Sequence, residues 1–152
     1  MATYILNKHQ VVNFKLDSSR YNVLVRITSP EDEFLPLDDE GIYRDILYLQ
    51  FYDLIDDSIG IKIFDDIELD RIVNFFKKHK YCDNMVIHCD QGRSRSAGIA
   101  VGWFLFNDNN SSIYTLYHDK KHIPNRRVVE AFFIKFKKNM KYLNKWEDEK
   151  LL

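Results

Sequence analysis

One stretch of the chain decides the fold: His88-Cys89-Asp90-Gln91-Gly92-Arg93-Ser94-Arg95-Ser96. Just before it, Met85–Ile87 is a short apolar run, which is typical of a strand buried on both faces. Just after it, Ser96–Phe106 is apolar nearly all round, as a buried central helix would be. We therefore predict that this stretch is a loop joining a buried strand to a buried helix.

A loop that curls ahead of a helix can bind an anion. Its backbone N–H groups converge, and the helix N-terminus adds a partial positive charge. Gly92 permits the positive φ that a tight curl needs, and Arg95 offers a planar fork that can bind two phosphate oxygens. Such donors favour the thiolate form of Cys89, which would lie beneath the bound phosphate for in-line attack on phosphorus.

The other loop residues are predicted to support this chemistry. Ser96 could donate a hydrogen bond to the sulfur when the sulfur leaves, and His88 is expected to donate to the backbone and order the loop. Phosphate oxygens would be bound by the loop residues that follow the cysteine, which are Asp90, Gln91, Gly92, Arg93, Ser94 and Arg95. We expect the Asp90 carboxylate to point outward, because a carboxylate that faced the phosphate would oppose its binding.

With this loop the sequence resembles the protein tyrosine phosphatase superfamily, and within it the small dual-specificity phosphatases. The matching features are His-Cys-x5-Arg-Ser with Gly92 in the loop, Ile42-Tyr43 with the strand that ends at Asp53, and Ile123-Pro124-Asn125 with Val128 and Phe132. The resemblance covers roughly residues 23 to 136. It implies a Cys-based phosphatase fold, a cysteinyl-phosphate intermediate, no metal, no organic cofactor, and a loop-supporting role for Asn125. Gln91 departs from the family pattern, which usually has alanine there.

A phosphatase of this kind needs a proton donor for the leaving oxygen. Asp53 is the best candidate, because it ends a predicted strand upstream of the nucleophile. Asp56 and Asp57 lie in the same stretch and remain alternatives.

The remaining pattern predicts an α/β fold with a central, mostly parallel sheet flanked by helices. Val23–Ile27 and Ile46–Tyr52 are strand-like runs on either side of a polar surface loop at Ser29–Glu40. Asp65 and Glu68 have capping-box spacing ahead of a helix. Near the C-terminus one apolar helical stripe is predicted from Val129, Phe132, Phe133, Phe136, Met140 and Leu143. At 152 residues the chain, 1–152, is expected to form a single catalytic domain.

Composition limits the partners. The formal net charge is −1, so no global field attracts nucleic acid or anionic lipid. Two cysteines, Cys82 and Cys89, do not make a disulfide framework, which favours a reducing, cytoplasmic location. We expect no secretory signal, no membrane insertion and a monomer. His118 and His122 have the spacing of a metal pair, but no third ligand stands out nearby, so surface histidines are favoured.

The sequence therefore predicts a phosphomonoesterase that acts on phosphorylated proteins, on phosphotyrosine with or without phosphoserine and phosphothreonine. A phosphate-binding pseudophosphatase would use the same loop without turnover. Because Arg93 lies at the loop apex, where it either faces solvent or contacts a charged substrate, a phosphoinositide substrate also stays open, as does an RNA 5′-triphosphate. Sulfur transfer and arsenate reduction are disfavoured, since neither needs an upstream aspartate loop.

Overall fold

The computed structural model of the protein describes residues 1–56 and 60–150. Within these ranges four parallel strands form one sheet in the order β1-β4-β2-β3, and five α-helices accompany it. The strands are β1 (Ala2–Leu6), β2 (Asn22–Thr28), β3 (Asp45–Gln50) and β4 (Asn84–His88). The helices are α1 (Asp66–Lys78), α2 (Arg95–Phe106), α3 (Asn110–His118), α4 (Arg126–Lys135) and α5 (Met140–Lys150). The predicted α/β class with a central parallel sheet is confirmed.

The two faces of the sheet are covered differently. Side chains alternate along each strand, so Val23, Val25 and Ile27 of β2 face the large core that the helices share, while Leu24 belongs to a second cluster. That second cluster is closed by two segments around residues 11–16 and 37–43, each of which contains a short 3-10 helix. The helices thus gather on one face, and this arrangement leaves the carboxyl ends of the strands free to carry loops.

The predicted strands lie close to the observed ones, with two differences. The run Ile46–Tyr52 leaves the sheet after Gln50, because the Tyr52 N–H bonds the Lys62 carbonyl (2.7 Å) instead of continuing the ladder. The edge strand β1 was not predicted. It pairs with β4 over its whole length, and such long-range pairing leaves little trace in a half-buried five-residue segment.

Of the two helix predictions, the capping box was correct, whereas the C-terminal stripe spans two helices instead of one. The capping box is present, with the Asp65 carboxylate accepting from the backbone N–H groups of Ile67 and Glu68. The C-terminal apolar stripe lies in the core, but it is not continuous along one helix. It divides between α4 and α5, because Lys137 takes a positive φ of 55° and the Lys138 N–H bonds the Phe133 carbonyl, which ends α4. Across the described residues, each helix is too short or too polar to cross a bilayer.

Helix α2 packs closely against α4 because two glycines on α2 leave room. A Cβ on Gly102 would come within 2.3–2.4 Å of the Phe132 ring, and a Cβ on Gly98 would come within 3.0 Å of Val128. Both distances show that side-chain atoms of α4 occupy the space that larger α2 residues would need. The close approach of α4 to α2 therefore requires a small residue at these two positions.

We predict that Gly102→Ala lowers the free energy of unfolding by roughly 2 kcal/mol, although alanine is the better helix former, because the added methyl overlaps the Phe132 ring. Urea denaturation of the variant and the wild type measures this difference. Gly98→Ala is the matched control, with the same gain in helix propensity, a milder overlap and a smaller expected loss. A Gly102→Ala variant as stable as the wild type would contradict this packing.

Candidate active site

The carboxyl ends of the strands meet at one edge of the sheet, where α/β proteins bind their ligands. Ser29 follows β2, Phe51 and Asp53 follow β3, and Cys89 follows β4. The loop from Cys89 to Ser94 lies at this edge and leads directly into α2. The strand–loop–helix order therefore brings residues that are far apart in sequence to a single place.

Cys89 and Ser96 face each other at the base of the loop. The Cys89 Sγ lies 3.1 Å from the Ser96 Oγ, and both residues are buried. The other cysteine, Cys82, is a buried free thiol, and burial raises its pKa to about 11, so it stays protonated at neutral pH. Cys89 is thus the cysteine that the fold places at a helix N-terminus with a hydroxyl partner.

Gly92 is required by the shape of the loop. Its φ is +67°, and a Cβ there would lie 2.8–2.9 Å from backbone atoms of Leu6 and Asn7 at the end of β1. The loop also bonds this segment directly, since the Lys8 N–H donates to the Asp90 carbonyl (3.2 Å). Both the backbone conformation and the close approach exclude a larger residue.

The Arg95 guanidinium is buried, with 5% of the residue exposed. Its Nη1 donates to the Phe51 carbonyl (2.9 Å) and to the Ser29 Oγ (3.1 Å). These two acceptors come from the ends of β3 and β2. Arg95, the first residue of α2, is therefore anchored by the sheet edge directly after the loop that begins at Cys89.

Asp90 does not point outward, and that expectation was wrong. Its Oδ2 accepts a hydrogen bond from the Arg95 Nη2 at 3.1 Å and forms an ion pair with it. The physical reason is that a buried guanidinium needs compensating charge, and Asp90 is the nearest carboxylate in the loop. Gln91 and Arg93, in contrast, are exposed, and the Arg93 Nε donates to the Lys121 carbonyl (3.1 Å).

Asp53 is tied directly to the loop. Its Oδ1 accepts hydrogen bonds from the Ser94 Oγ (2.7 Å) and from the Asn125 Nδ2 (2.8 Å). Among the described residues two donors hold its Oδ1 and none bonds its Oδ2.

Of the alternatives to Asp53, Asp56 borders a shallow cavity of about 400 Å³ beside Asp65, Arg126 and Arg127. Asp57 lies outside the described residues. Of the two candidates that the structure describes, Asp53 is therefore the one that hydrogen-bonds the loop.

Asn125 joins three parts of the site. Its Oδ1 accepts from the Val128 N–H and caps α4, while its Nδ2 holds Asp53. Its backbone N–H donates to the Ser94 carbonyl at 3.0 Å. With 4% of the residue exposed, Asn125 fixes α4, the Asp53 segment and the loop relative to one another.

His88 is locked in one tautomer by its neighbours. The Arg26 Nε donates to its Nε2 (3.0 Å), so the proton sits on Nδ1, which faces the Cys89 carbonyl (3.4 Å). Burial, followed by the charge of Arg26, lowers the pKa of His88 to about 4. His88 is therefore a neutral donor to the loop backbone.

Two residues of this edge, Arg26 and Ser29, were missed in the sequence. Arg26 is paired with His88 in the register between β2 and β4, and its Nη2 also donates to the Leu35 carbonyl (2.6 Å). The available signal was a lone charge inside an otherwise apolar strand. Ser29 gave no signal beyond its place directly after β2.

The two histidines with metal-pair spacing, His118 and His122, each contact a carboxylate instead of each other. His118 Nε2 lies 2.9 Å from a Glu149 carboxylate oxygen, and His122 Nδ1 lies 2.7 Å from one of Asp119. Over residues 1–56 and 60–150, no group of three His, Cys, Asp or Glu side chains is arranged to hold a metal ion.

Comparisons with known proteins identify the fold. No protein-family model matches the chain, and no curated protein matches it in sequence. Among solved structures, it is similar to human DUSP28 (10% identity, 97% of this chain and 92% of that chain, TM-score 0.56). It is also similar to the human tyrosine phosphatase-like serine/threonine/tyrosine-interacting protein (16% identity, 81% of this chain and 79% of that chain, TM-score 0.52). A third similar structure is PTPMT1 in complex with PI(5)P (18% identity, 88% of this chain and 87% of that chain, TM-score 0.54). The chain thus has the dual-specificity phosphatase fold that its loop predicted.

We predict that His88 makes the protein less stable as the pH falls from about 6.5 to about 4. The unfolded chain protonates this histidine below about pH 6.5, whereas the folded state keeps it neutral to about pH 4, so the unfolded state binds more protons in this window. The full effect is about 3 kcal/mol, since one pKa unit corresponds to about 1.4 kcal/mol.

Urea denaturation of the wild type and of His88→Asn at pH 7, 6, 5 and 4 tests this prediction. The difference in unfolding free energy between the two proteins should shrink or reverse towards pH 4. Parallel stability curves over this range would contradict a neutral buried His88.

Proposed function

We propose that the protein is a cysteine-dependent phosphomonoesterase of the tyrosine or dual-specificity type, with phosphorylated proteins as substrates. The observation that carries the proposal is the placement of Cys89 Sγ 3.1 Å from Ser96 Oγ, at the base of a loop that leads into the buried Arg95 at the start of α2. A thiol, a hydroxyl and a guanidinium at a helix N-terminus are suited to binding a phosphate and to attacking it.

In the first step, the Cys89 thiolate attacks phosphorus in line with the ester oxygen. The S–P bond forms, the P–O bond to the leaving group breaks, and the departing oxygen takes the proton from the Oδ2 of Asp53. Arg95 and the loop N–H groups stabilise the negative charge that is spread over the three remaining phosphoryl oxygens. Asp53 can serve as the donor because Ser94 and Asn125 hold its other oxygen.

In the second step, water attacks the phosphoryl group of the cysteinyl-phosphate. The Asp53 carboxylate now takes a proton from that water, inorganic phosphate is released, and the electron pair of the S–P bond returns to sulfur. The Ser96 hydroxyl donates a hydrogen bond to the sulfur as negative charge develops there. The same aspartate thus acts first as acid and then as base, and the enzyme returns to its starting state.

Hydrolysis of para-nitrophenyl phosphate across pH 4 to 8, with EDTA present, tests this proposal. We expect turnover by the wild type, none by Cys89→Ser, and a loss of roughly 10²-fold or more in kcat for Asp53→Asn, because the leaving oxygen then departs without a proton.

The matched control is Asp56→Asn, which makes the same chemical change three residues further along and should keep nearly all activity. The proposal fails if Cys89→Ser still turns over substrate. An inactive wild type that binds phosphopeptides would instead make this protein a phosphate reader. Full activity in Asp53→Asn together with a large loss in Asp56→Asn would move the proton donor to Asp56.

A further inference from the structure

Arg95, which we propose binds the substrate phosphate, already forms an ion pair with a carboxylate of the protein itself. The Asp90 carboxylate accepts from the Arg95 Nη2 at 3.1 Å, and 27% of the Asp90 side chain is exposed against 6% for Arg95. Asp90 turns in to meet Arg95, but it remains the more exposed member of the pair. A substrate phosphate has to approach the guanidinium beside this negative charge.

The hydrogen bonds of Arg95 narrow the choice of donors for a phosphate. Both N–H bonds of Nη1 are committed, one to the Phe51 carbonyl and one to the Ser29 Oγ. A bidentate grip on two phosphate oxygens must then use Nε and Nη2. Nη2 is the atom that Asp90 contacts, so a bound phosphate and the Asp90 carboxylate share one nitrogen.

More negative charge borders the same edge of the sheet. Ser29, which contacts Arg95, begins a segment that continues with Glu31, Asp32 and Glu33. The Glu31 carboxylate accepts a hydrogen bond from the Tyr52 hydroxyl, and Tyr52 directly precedes Asp53. That hydrogen bond and the nearby charges of Glu31 and Asp32 raise the pKa of Tyr52, as expected beside acids. The acidic segment is thus fastened next to the proposed proton donor.

We propose that Asp90 is a specificity residue that acts as a charge filter at the phosphate loop, so that the site favours esters with a single phosphate and neutral or basic groups beside it over polyanions. The inference rests on the proposed function, since it concerns what the same loop accepts. Its physical basis is Coulombic repulsion, which grows with each additional negative charge that a ligand brings near Asp90. Phosphorylated proteins without acidic neighbours fit such a site better than polyphosphorylated headgroups do.

Binding measurements test the filter without relying on turnover. Isothermal titration calorimetry of the wild type and Asp90→Asn uses two probes, inorganic phosphate and myo-inositol hexakisphosphate. Removing the charge should lower the Kd of phosphate about tenfold and the Kd of the hexakisphosphate about a hundredfold, because the hexakisphosphate brings more negative charge near the same point. Asp90→Ser, which also removes the carboxylate, should show the same order and serves if Asp90→Asn folds poorly.

Asp108→Asn is the matched control, since it makes the same charge change just beyond the other end of α2, about 18 Å along a twelve-residue helix. It should leave both affinities unchanged. The filter is overturned if Asp90→Asn weakens phosphate binding, which would make Asp90 a positioning residue for Arg95. Equal gains for the two probes, or equal effects of Asp90→Asn and Asp108→Asn, would overturn it too. A wild type that binds neither probe would instead reject the phosphate loop itself, and with it the proposed function.

Discussion

The buried guanidinium of Arg95 is the constraint on which the rest of the site depends. A charge with 5% residue exposure is tolerated only if acceptors surround it, and here they come from three separate segments. The end of β2 supplies Ser29, the end of β3 supplies the Phe51 carbonyl, and the loop supplies Asp90. Satisfying this one group therefore fixes the loop against the sheet edge, and it places Cys89 and Asp53 on the same side of the protein.

A second network connects the site to the helical layer. Asn125 caps α4, holds Asp53 and bonds the Ser94 carbonyl, so the entry into α4 is part of the site. α4 reaches this position because Gly98 and Gly102 let it approach α2 closely. Packing and chemistry are coupled here, since a shift of α4 would move Asn125 and, through it, the carboxylate proposed to handle the proton.

The sequence predicted elements that follow from the residue pattern, and it failed where a backbone conformation or the partner of a buried charge decides. The loop that begins at Cys89, its flanking strand and helix, and the Asp65 cap depend on neighbouring residues, and their places in the fold were predicted correctly. The division of the C-terminal stripe depends on a positive φ at Lys137, which no hydrophobic pattern reveals. The inward turn of Asp90 and the pairing of Arg26 with His88 follow from burial and strand register, so only the folded structure could show them. The catalytic roles of Cys89, Arg95 and Asp53 remain predictions that the geometry supports.

The central claim is that Cys89 carries the phosphoryl group between two chemical steps. The most direct measurement is rapid acid quench of the enzyme during turnover of a phosphotyrosine peptide, followed by mass spectrometry of the proteolytic fragments. Our account predicts one added phosphoryl group on the fragment that contains Cys89, and none in Cys89→Ser. Hydrolysis that proceeds without a phosphorylated enzyme, or with the phosphoryl group on another residue, would contradict it.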